Sequence, residues 1–498
     1  MARLSSFVYI FLSLWSLGNC LNSAGWRSQS IYQVLTDRFA RTDGSTSGCS
    51  NLSDYCGGTW RGLINKLDYI QGMGFTAVWI SPVVKNPIGL TSNGNSYHGY
   101  WAQDAYAVNP KFGTSDDLKS LSAALHQRGM YLMVDVVPNH MGSLSTKANI
   151  DYGGLHPFNN KRFYHDSCSI DYNNADSIKY CWVSNNDVAP LPDLRTEDQE
   201  VQQMWNTWIS QLVSNYSIDG LRIDTAQQVN QGFWPGFQSA AGGIHTLGEV
   251  FNGNPDVMCP YQNSLYGLLN YGTYYWITQA FQSASGSIAN LANGINQMKQ
   301  TCKDTTLLGS FIENHDNPRF PSKTSDQSQI KNAIAFTILQ DGIPIIYQGQ
   351  EHKFSGTDTP GNREALWTSN YNKNSDLYLH IQKLNKIRSW AIRQDSNYAG
   401  GYKAYPIYSD GQNIIMRKGF GGKQIVSVYT NKGANGSGTL TIQASNSGFT
   451  ANQQVTEIIT CSAKTADGNG NLVVSYSQGL PSVLYPTAAL AGSGICGK

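Results

Sequence analysis

At 498 residues the chain is too long for one small hydrophobic core, so two or three domains are expected. A formal charge of +1 and 14 % charged residues leave no electrostatic footprint for nucleic acid or an anionic membrane surface. Its 28 Tyr and 12 Trp suit a neutral ligand with flat apolar faces, such as a sugar, but aromatics also fill cores, so composition alone assigns no function.

The chain opens with one positive charge, Arg3, ahead of the apolar run Phe7 to Leu17, then the small residues Gly18 and Cys20 and polar Asn22-Ser23. That order reads as a secretory signal peptide over residues 1–21, and the run is shorter than the ~20 residues a membrane span needs. The C-terminal Gly494 to Lys498 has no hydrophobic tail of the kind a lipid anchor requires. A secreted, extracellular, monomeric protein without a membrane partner is expected. Once Cys20 leaves with the signal, Cys49, Cys56, Cys168, Cys181, Cys259, Cys302, Cys461 and Cys496 remain as four neighbouring couples, the pattern of local disulfides in an oxidising compartment. Asn51, Asn215 and Asn435 head glycosylation triplets.

From Ser30 to about Gly349 short apolar runs alternate with helix-compatible stretches. The candidate strands are Ile31–Leu35, Ala77–Ile80, Tyr131–Asp135, Gly220–Asp224, His245–Glu249, Leu268–Tyr274, Leu308–Glu313 and Ile343–Tyr347. Continuous apolar runs suit strands buried on both faces of a parallel sheet. Helical spacing appears between them, as in Asp116–Arg128 and Glu197–Asn215. Eight such units predict an α/β fold of the (β/α)8 barrel type, over residues 22–139 and 195–399, ahead of a doubly wound sheet. The stretch 140–194, rich in Asn, Asp, Gly and Tyr and without a clear helix, reads as a small irregular domain inserted after the third strand. Residues 400–498 carry short β-type runs separated by Gly, Asn and Ser, which predicts an antiparallel β-sandwich.

In such a barrel the C-terminal ends of the strands face a common mouth. Here the third strand runs on into Asp135-Val-Val-Pro-Asn-His140, the fourth ends Arg222-Ile-Asp224, the fifth reaches Glu249, and the seventh continues as Glu313-Asn-His-Asp316. One acidic residue at a strand end is commonly a cap or an ion-pair partner; four strands carrying charge at the same end point to chemistry. Glycosidic hydrolysis needs one protonated carboxyl to assist the leaving oxygen and one ionised carboxylate to attack. Crowded carboxylates raise the pKa of at least one member, and Arg222, on the same strand face as Asp224, would favour an ionised nucleophile.

Gly220-Leu-Arg-Ile-Asp-Thr225, Gly248-Glu-Val250, Phe311-Ile-Glu-Asn-His-Asp316 and Asp135-Val-Val-Pro-Asn-His140 resemble the four signature regions of the α-amylase family. The resemblance extends from Trp26 through Tyr97-His-Gly-Tyr-Trp101 and Leu191-Pro-Asp-Leu194 to Val483-Leu-Tyr-Pro486, and is to the fungal and yeast extracellular members. It implies Asp224 as nucleophile, Glu249 as general acid/base and Asp316 as transition-state stabiliser. It implies substrate contacts at His98, Tyr100, Trp101, His140, Arg222, Gly253, His315, Asp358 and Arg363; the family has one residue fewer between positions 358 and 363. It also implies a calcium ion clamping the inserted domain, with side-chain ligands from Asn139 and Asp193 and main-chain carbonyls of Lys179 and Gln228, an oxygen set suited to Ca²⁺. The expected substrate is an α-1,4-linked glucan, cut internally with retention of configuration. Many fungal members carry Lys-His where this chain has Gln227-Gln228, the one feature that favours transfer to a sugar acceptor over endo-hydrolysis. A carbohydrate-binding relative without catalysis is the other alternative, and it would have lost an acid or nucleophile that this chain retains.

Overall fold

The computed structural model describes residues 21–498; residues 1–20 of the expected signal segment lie outside the described residues. Eight parallel strands form the central sheet: β1 (Ile31–Val34), β2 (Ala77–Ile80), β3 (Tyr131–Val136), β4 (Gly220–Ile223), β5 (His245–Gly248), β6 (Gly267–Leu268), β7 (Gly309–Ser310) and β8 (Ile343–Tyr347). They pair in chain order from β1 to β6, and β8 lies between β1 and β7. A single parallel bridge from Leu269 to Gly309 joins β6 to β7, so the sheet curls into a barrel. Every residue of these strands except Tyr131 is buried, which is why they read as unbroken apolar runs.

Helices pack around the outside. α1 (Ser115–His126) starts at a capping box: the Thr114 hydroxyl accepts the Asp117 N–H and Asp117 accepts that of Thr114, and Leu118, Leu121 and Leu125 form its buried stripe. α2 (Ala175–Tyr180) lies in the inserted segment, where the sequence reading expects no helix. Asn174 caps it through the N–H groups of Asp176 and Ser177, and because it buries no residue it leaves no apolar periodicity. α3 (Gln199–Tyr216) buries Trp205, Trp208, Ile209 and Leu212 against the barrel.

The expected strand Leu268–Tyr274 is corrected. Only Gly267–Leu268 pairs, and α4 (Tyr271–Phe281) begins where Asn270 accepts the Thr273 N–H at 3.0 Å. Eight of the eleven α4 residues are buried, so the helix has no polar face, and its Tyr, Thr and Ile content mimics a strand. β7 is also shorter than the expected Leu308–Glu313, because Glu313 leaves the ladder to accept from Arg319 and the Phe320 N–H at 3.0 and 2.8 Å. α5 (Ile288–Thr301), α6 (Gln327–Leu339) and α7 (Asp376–Gln394) follow later in the chain.

Beyond α7 eight strands pair only antiparallel: β9 (Tyr405–Ser409), β10 (Asn413–Lys418), β11 (Ile425–Thr430), β12 (Gly438–Ile442), β13 (Gln454–Glu457), β14 (Ser462–Thr465), β15 (Leu472–Tyr476) and β16 (Ser482–Pro486). A six-stranded sheet, in the order β9-β10-β11-β16-β13-β14, packs with the β12–β15 pair around Ile415, Val426, Val428, Phe449, Leu472 and Leu484. Ile414, Met416, Tyr429 and Tyr485, on the other face, join the barrel core, as the period of two demands. The cysteines pair as Cys49–Cys56, Cys168–Cys181, Cys259–Cys302 and Cys461–Cys496. No helix among the described residues is long and apolar enough to cross a membrane.

Candidate active site

One buried cation gathers acidic side chains from three strand ends. Arg222, on β4, is fully buried; its Nη1 contacts Asp135 Oδ1 at 3.0 Å and Asp224 Oδ1 at 2.8 Å, and its Nη2 lies 2.7 Å from Glu249 Oε1. The Nη2 contact is Coulombic, since neither Nη2 nor Nε of Arg222 has an aligned hydrogen-bond acceptor. A planar guanidinium reaches carboxylates from β3, β4 and β5 together, which a lysine could not. Three carboxyl groups around one positive charge cannot all be ionised cheaply in a buried site. Burial, only partly offset by Arg222, and the neighbouring Asp224 and Asp316 push Glu249 up to about 8. Burial likewise raises Asp135 to about 7 against the pull of Arg222.

Asp224 and Glu249 hold their positions by further bonds. The Thr225 hydroxyl donates to Asp224 Oδ2 at 2.9 Å and the Thr225 N–H donates to Glu249 Oε2 at 3.0 Å. Tyr271, the first residue of α4, donates from its hydroxyl to Glu249 Oε1 at 3.4 Å and accepts from Asn314 at 3.1 Å. Asp316 is the most open of the three acids, with a third of its side chain exposed. His315 Nε2 lies 3.0 Å from its Oδ2, and Arg363 Nη2 donates to Oδ1 at 3.2 Å. The Gln33 amide faces His315 Nδ1 at 2.9 Å; with Gln33 as donor, the proton of the neutral ring sits on Nε2, facing Asp316. Burial and the nearby Arg363 hold His315 well below the usual imidazole range, so the neutral form prevails at neutral pH.

Around this centre the structure brings most of the sequence candidates together. The Tyr100 ring lies parallel to His315 at 5.2 Å, near-parallel to His98 on another side at 5.7 Å, and its hydroxyl donates to Asp135 Oδ2 at 2.7 Å. His98 accepts the Tyr100 N–H on Nδ1, which leaves Nε2 as the donor, and burial keeps the ring uncharged. His140 has both ring nitrogens engaged, Nε2 with the Tyr100 carbonyl at 3.2 Å and Nδ1 with the Asn139 amide at 3.2 Å, so a sugar would have to displace the Tyr100 carbonyl. Trp101 is 9 % exposed and packs on Ala189 and Leu191, so most of its indole joins the inserted segment to the barrel. Gly253 faces the Tyr275 ring, where an added Cβ would sit 2.5 Å from a ring carbon, so a larger residue would have to push that ring aside. Arg363 donates to the His315 carbonyl at 2.9 Å and to Tyr97 at 3.2 Å, while Asp358 stands exposed on the loop before it. Thr225, Tyr271, Asn314 and Gln33 were not among the sequence candidates. A strand reading of residues 268–274 hides Tyr271, and no residue pattern announces the backbone angle that aims Thr225.

Asn139 and Asp193 lie side by side: His140 and Asp193 form a bridge, and the Leu194 N–H donates to the Asn139 carbonyl at 2.9 Å. Asp193 is 1 % exposed; Oδ2 pairs with His165 at 2.7 Å, but Oδ1 is buried with no partner, and burial raises the carboxyl to about 7. The Lys179 ammonium donates to the carbonyls of Gln227 and Val229, on either side of Gln228. No cluster of three or more His, Cys, Asp or Glu able to hold a metal occurs among the described residues. One carboxylate, one amide and main-chain carbonyls would fall outside such a cluster, and the orphaned Oδ1 is the kind of group a hard cation satisfies.

Residues 33–454 match the alpha amylase catalytic domain model. The chain is 50 % identical over 490 residues to alpha-amylase 2 of Schwanniomyces occidentalis, covering 98 % of this chain and 95 % of that one. It is 49 % identical over 478 residues to the alpha-amylase of Saccharomycopsis fibuligera, covering 95 % and 94 %. An α-amylase structure from Malbranchea cinnamomea superposes with a TM-score of 0.92 at 49 % identity, covering 95 % of this chain and all of that one. With an eight-stranded barrel, a carboxylate cluster at its mouth and relatives of this closeness along nearly its whole length, the chain belongs to the α-amylase family and is a glycoside hydrolase.

Proposed function

We propose that the chain is a secreted, monomeric α-amylase that cleaves internal α-1,4-glucosidic bonds by double displacement, with Asp224 as nucleophile, Glu249 as acid/base and Asp316 as stabiliser. The observation that carries this reading is the shared guanidinium: Arg222 touches both Asp224 and Glu249, which sets two carboxyl groups of opposite duty at one point. A carboxylate oxygen of Asp224 attacks the anomeric carbon as the bond to the glycosidic oxygen breaks. Glu249, kept protonated by its raised pKa, gives that oxygen its proton. Glu249, now ionised, takes a proton from water, whose oxygen displaces Asp224 and regenerates the original configuration. Asp316, with His315 and Arg363 on its two oxygens, would bind sugar hydroxyls more tightly as the ring flattens. His98 and His140 would donate to the same sugar, Tyr100 and the exposed edge of Trp101 would offer faces, and Gly253 and Asp358 would bound the cleft on its two sides. The four disulfides support passage through an oxidising compartment.

Gln227 and Gln228 are each only 6 % exposed, so the segment after the nucleophile presents few donors to an acceptor sugar. Incubation with maltoheptaose, reading reducing ends and product lengths together, tests the assignment. Shorter products with rising reducing ends are expected. Products longer than the substrate at constant reducing ends would replace hydrolysis by transfer, and unchanged substrate would remove catalysis altogether.

A Ca²⁺ ion held by Asn139, Asp193 and the Lys179 and Gln228 carbonyls would brace the inserted segment against the barrel and supply no chemistry. Saturating EDTA should then lower Tm by several degrees, since an ion present at 100 times its Kd contributes about 2.7 kcal/mol. In Asp193→Asn the EDTA effect should shrink toward zero; an unaltered Tm in the parent protein would refute the site.

A further inference from the structure

Thr225 directly follows Asp224 and stands at φ +47°. That left-handed backbone suits glycine or asparagine, whereas a β-branched side chain there crowds its own main chain. The strain has a geometric result. The parallel ladder runs up to this point, with the Asp224 N–H on the Val136 carbonyl at 2.9 Å and the Glu249 N–H on the Ile223 carbonyl at 2.8 Å. At Thr225 the chain leaves the ladder. Its N–H points at the Glu249 side chain instead of a neighbouring strand, and its hydroxyl points back at Asp224. The Gln228 N–H closes the turn on the Thr225 carbonyl at 3.0 Å.

We propose that Thr225 is a positioning residue for both reacting carboxyl groups, fixing Asp224 Oδ2 through its hydroxyl and Glu249 Oε2 through its backbone N–H. The inference rests on the roles given above to Asp224 and Glu249. Arg222 holds Oδ1 of Asp224 at 2.8 Å and Thr225 holds Oδ2 at 2.9 Å, so two donors from different directions set the plane of the attacking carboxylate. Arg222 and Thr225 likewise hold the two oxygens of Glu249. A turn at one strand end therefore orients nucleophile and acid together, and the strain it stores persists because the surrounding bonds over-determine it. The hydroxyl also distinguishes the two chemical steps. Asp224 gives up negative charge when it bonds to the anomeric carbon and regains it when water displaces it. A hydrogen bond to Oδ2 is strongest on the ionised carboxylate, so it favours release of the sugar and opposes persistence of the ester.

Thr225→Val keeps the shape and removes the hydroxyl, Thr225→Ala removes it with less crowding, and Thr225→Ser retains it. With α-maltotriosyl fluoride, Val and Ala should lower kcat by roughly 10- to 100-fold with KM unchanged or lower, because the glycosyl-enzyme accumulates, and Ser should restore kcat to within about threefold. The proposal is overturned if Val or Ala turns over as the parent does, if Ser fails as badly as Val, or if KM rises at unchanged kcat. Should Val not fold, judged by circular dichroism, the Ala and Ser pair decides the matter. Asp224→Asn serves as the control. If it retains activity, the role of Asp224 is wrong; if it is inactive while Thr225→Val equals the parent, only the positioning role fails.

Discussion

Glu249→Gln should lower kcat on soluble starch by roughly 10²- to 10⁴-fold with little change in KM, because the amide keeps the shape and has no proton to give. The loss should shrink on a maltosyl fluoride, whose leaving fluoride needs little proton assistance. The pH profile supplies an independent reading. In the parent protein kcat/KM should fall as pH rises through about 8, where the buried, crowded Glu249 ionises. In the Gln variant that limb should be gone. In the Gln variant stability should move the opposite way to activity. A free carboxyl ionises near 4.5 and Glu249 near 8, so between these values the folded chain retains a proton that the unfolded chain releases, and stability falls as pH rises across that window. At pH 7 the retained proton is a stability penalty, which the amide removes. The variant should therefore melt a few degrees above its parent in differential scanning calorimetry. An inactive protein that is also more stable cannot be explained by unfolding; a Gln variant with parental kcat would remove Glu249 from the chemistry.

Arg222→Met should be the most damaging single change. It leaves Asp135, Asp224 and Glu249 without the cation that Nη1 and Nη2 now bring within 3.0, 2.8 and 2.7 Å. Removing one partner from a buried charge cluster destabilises by about 3–5 kcal/mol, because the remaining charges stay out of water uncompensated. Both the melting temperature and starch hydrolysis should drop. Arg222→Lys separates the two effects: its single ammonium restores most of the compensation but cannot span three strands in a fixed fork, so the fold should recover while kcat stays roughly 10²-fold down. Equal melting temperatures for Met and parent would show that the cluster is not held by this charge.

The barrel was readable because its strands are buried on both faces. Ala77–Ile80 and Ile343–Tyr347 are unbroken apolar runs with no turn residue inside except Pro344, and each lies where it was expected. The mouth was readable because Asp135, Asp224 and Glu249 interrupt or end such runs with charge. What could not be read has local physical causes. Tyr271-Gly-Thr-Tyr-Tyr-Trp-Ile has the composition of a strand but forms a helix buried nearly all round, so no polar face betrays its period. The short helix Ala175–Tyr180 buries nothing and carries no pattern either. Strand Ser462–Thr465, with half-buried and exposed residues only, has no apolar side to announce it. Trp101, expected in the cleft, gives most of its surface to Ala189 and Leu191, a contact between segments some ninety residues apart that composition cannot foretell. Thr225 is the clearest case. Its identity is plain in the sequence, whereas its role lies in a φ angle and in a glutamate from the next strand.

If Asp224 is the nucleophile, the sugar is held on it as an ester between the two steps. The parent protein should be incubated with a 2-deoxy-2-fluoro maltosyl donor that forms the glycosyl-enzyme quickly and releases it slowly, then digested, and the labelled peptide located by mass spectrometry. A maltosyl residue esterified to Asp224 is the predicted result; a label on Asp135 or Asp316, or turnover with no covalent adduct at all, would contradict it.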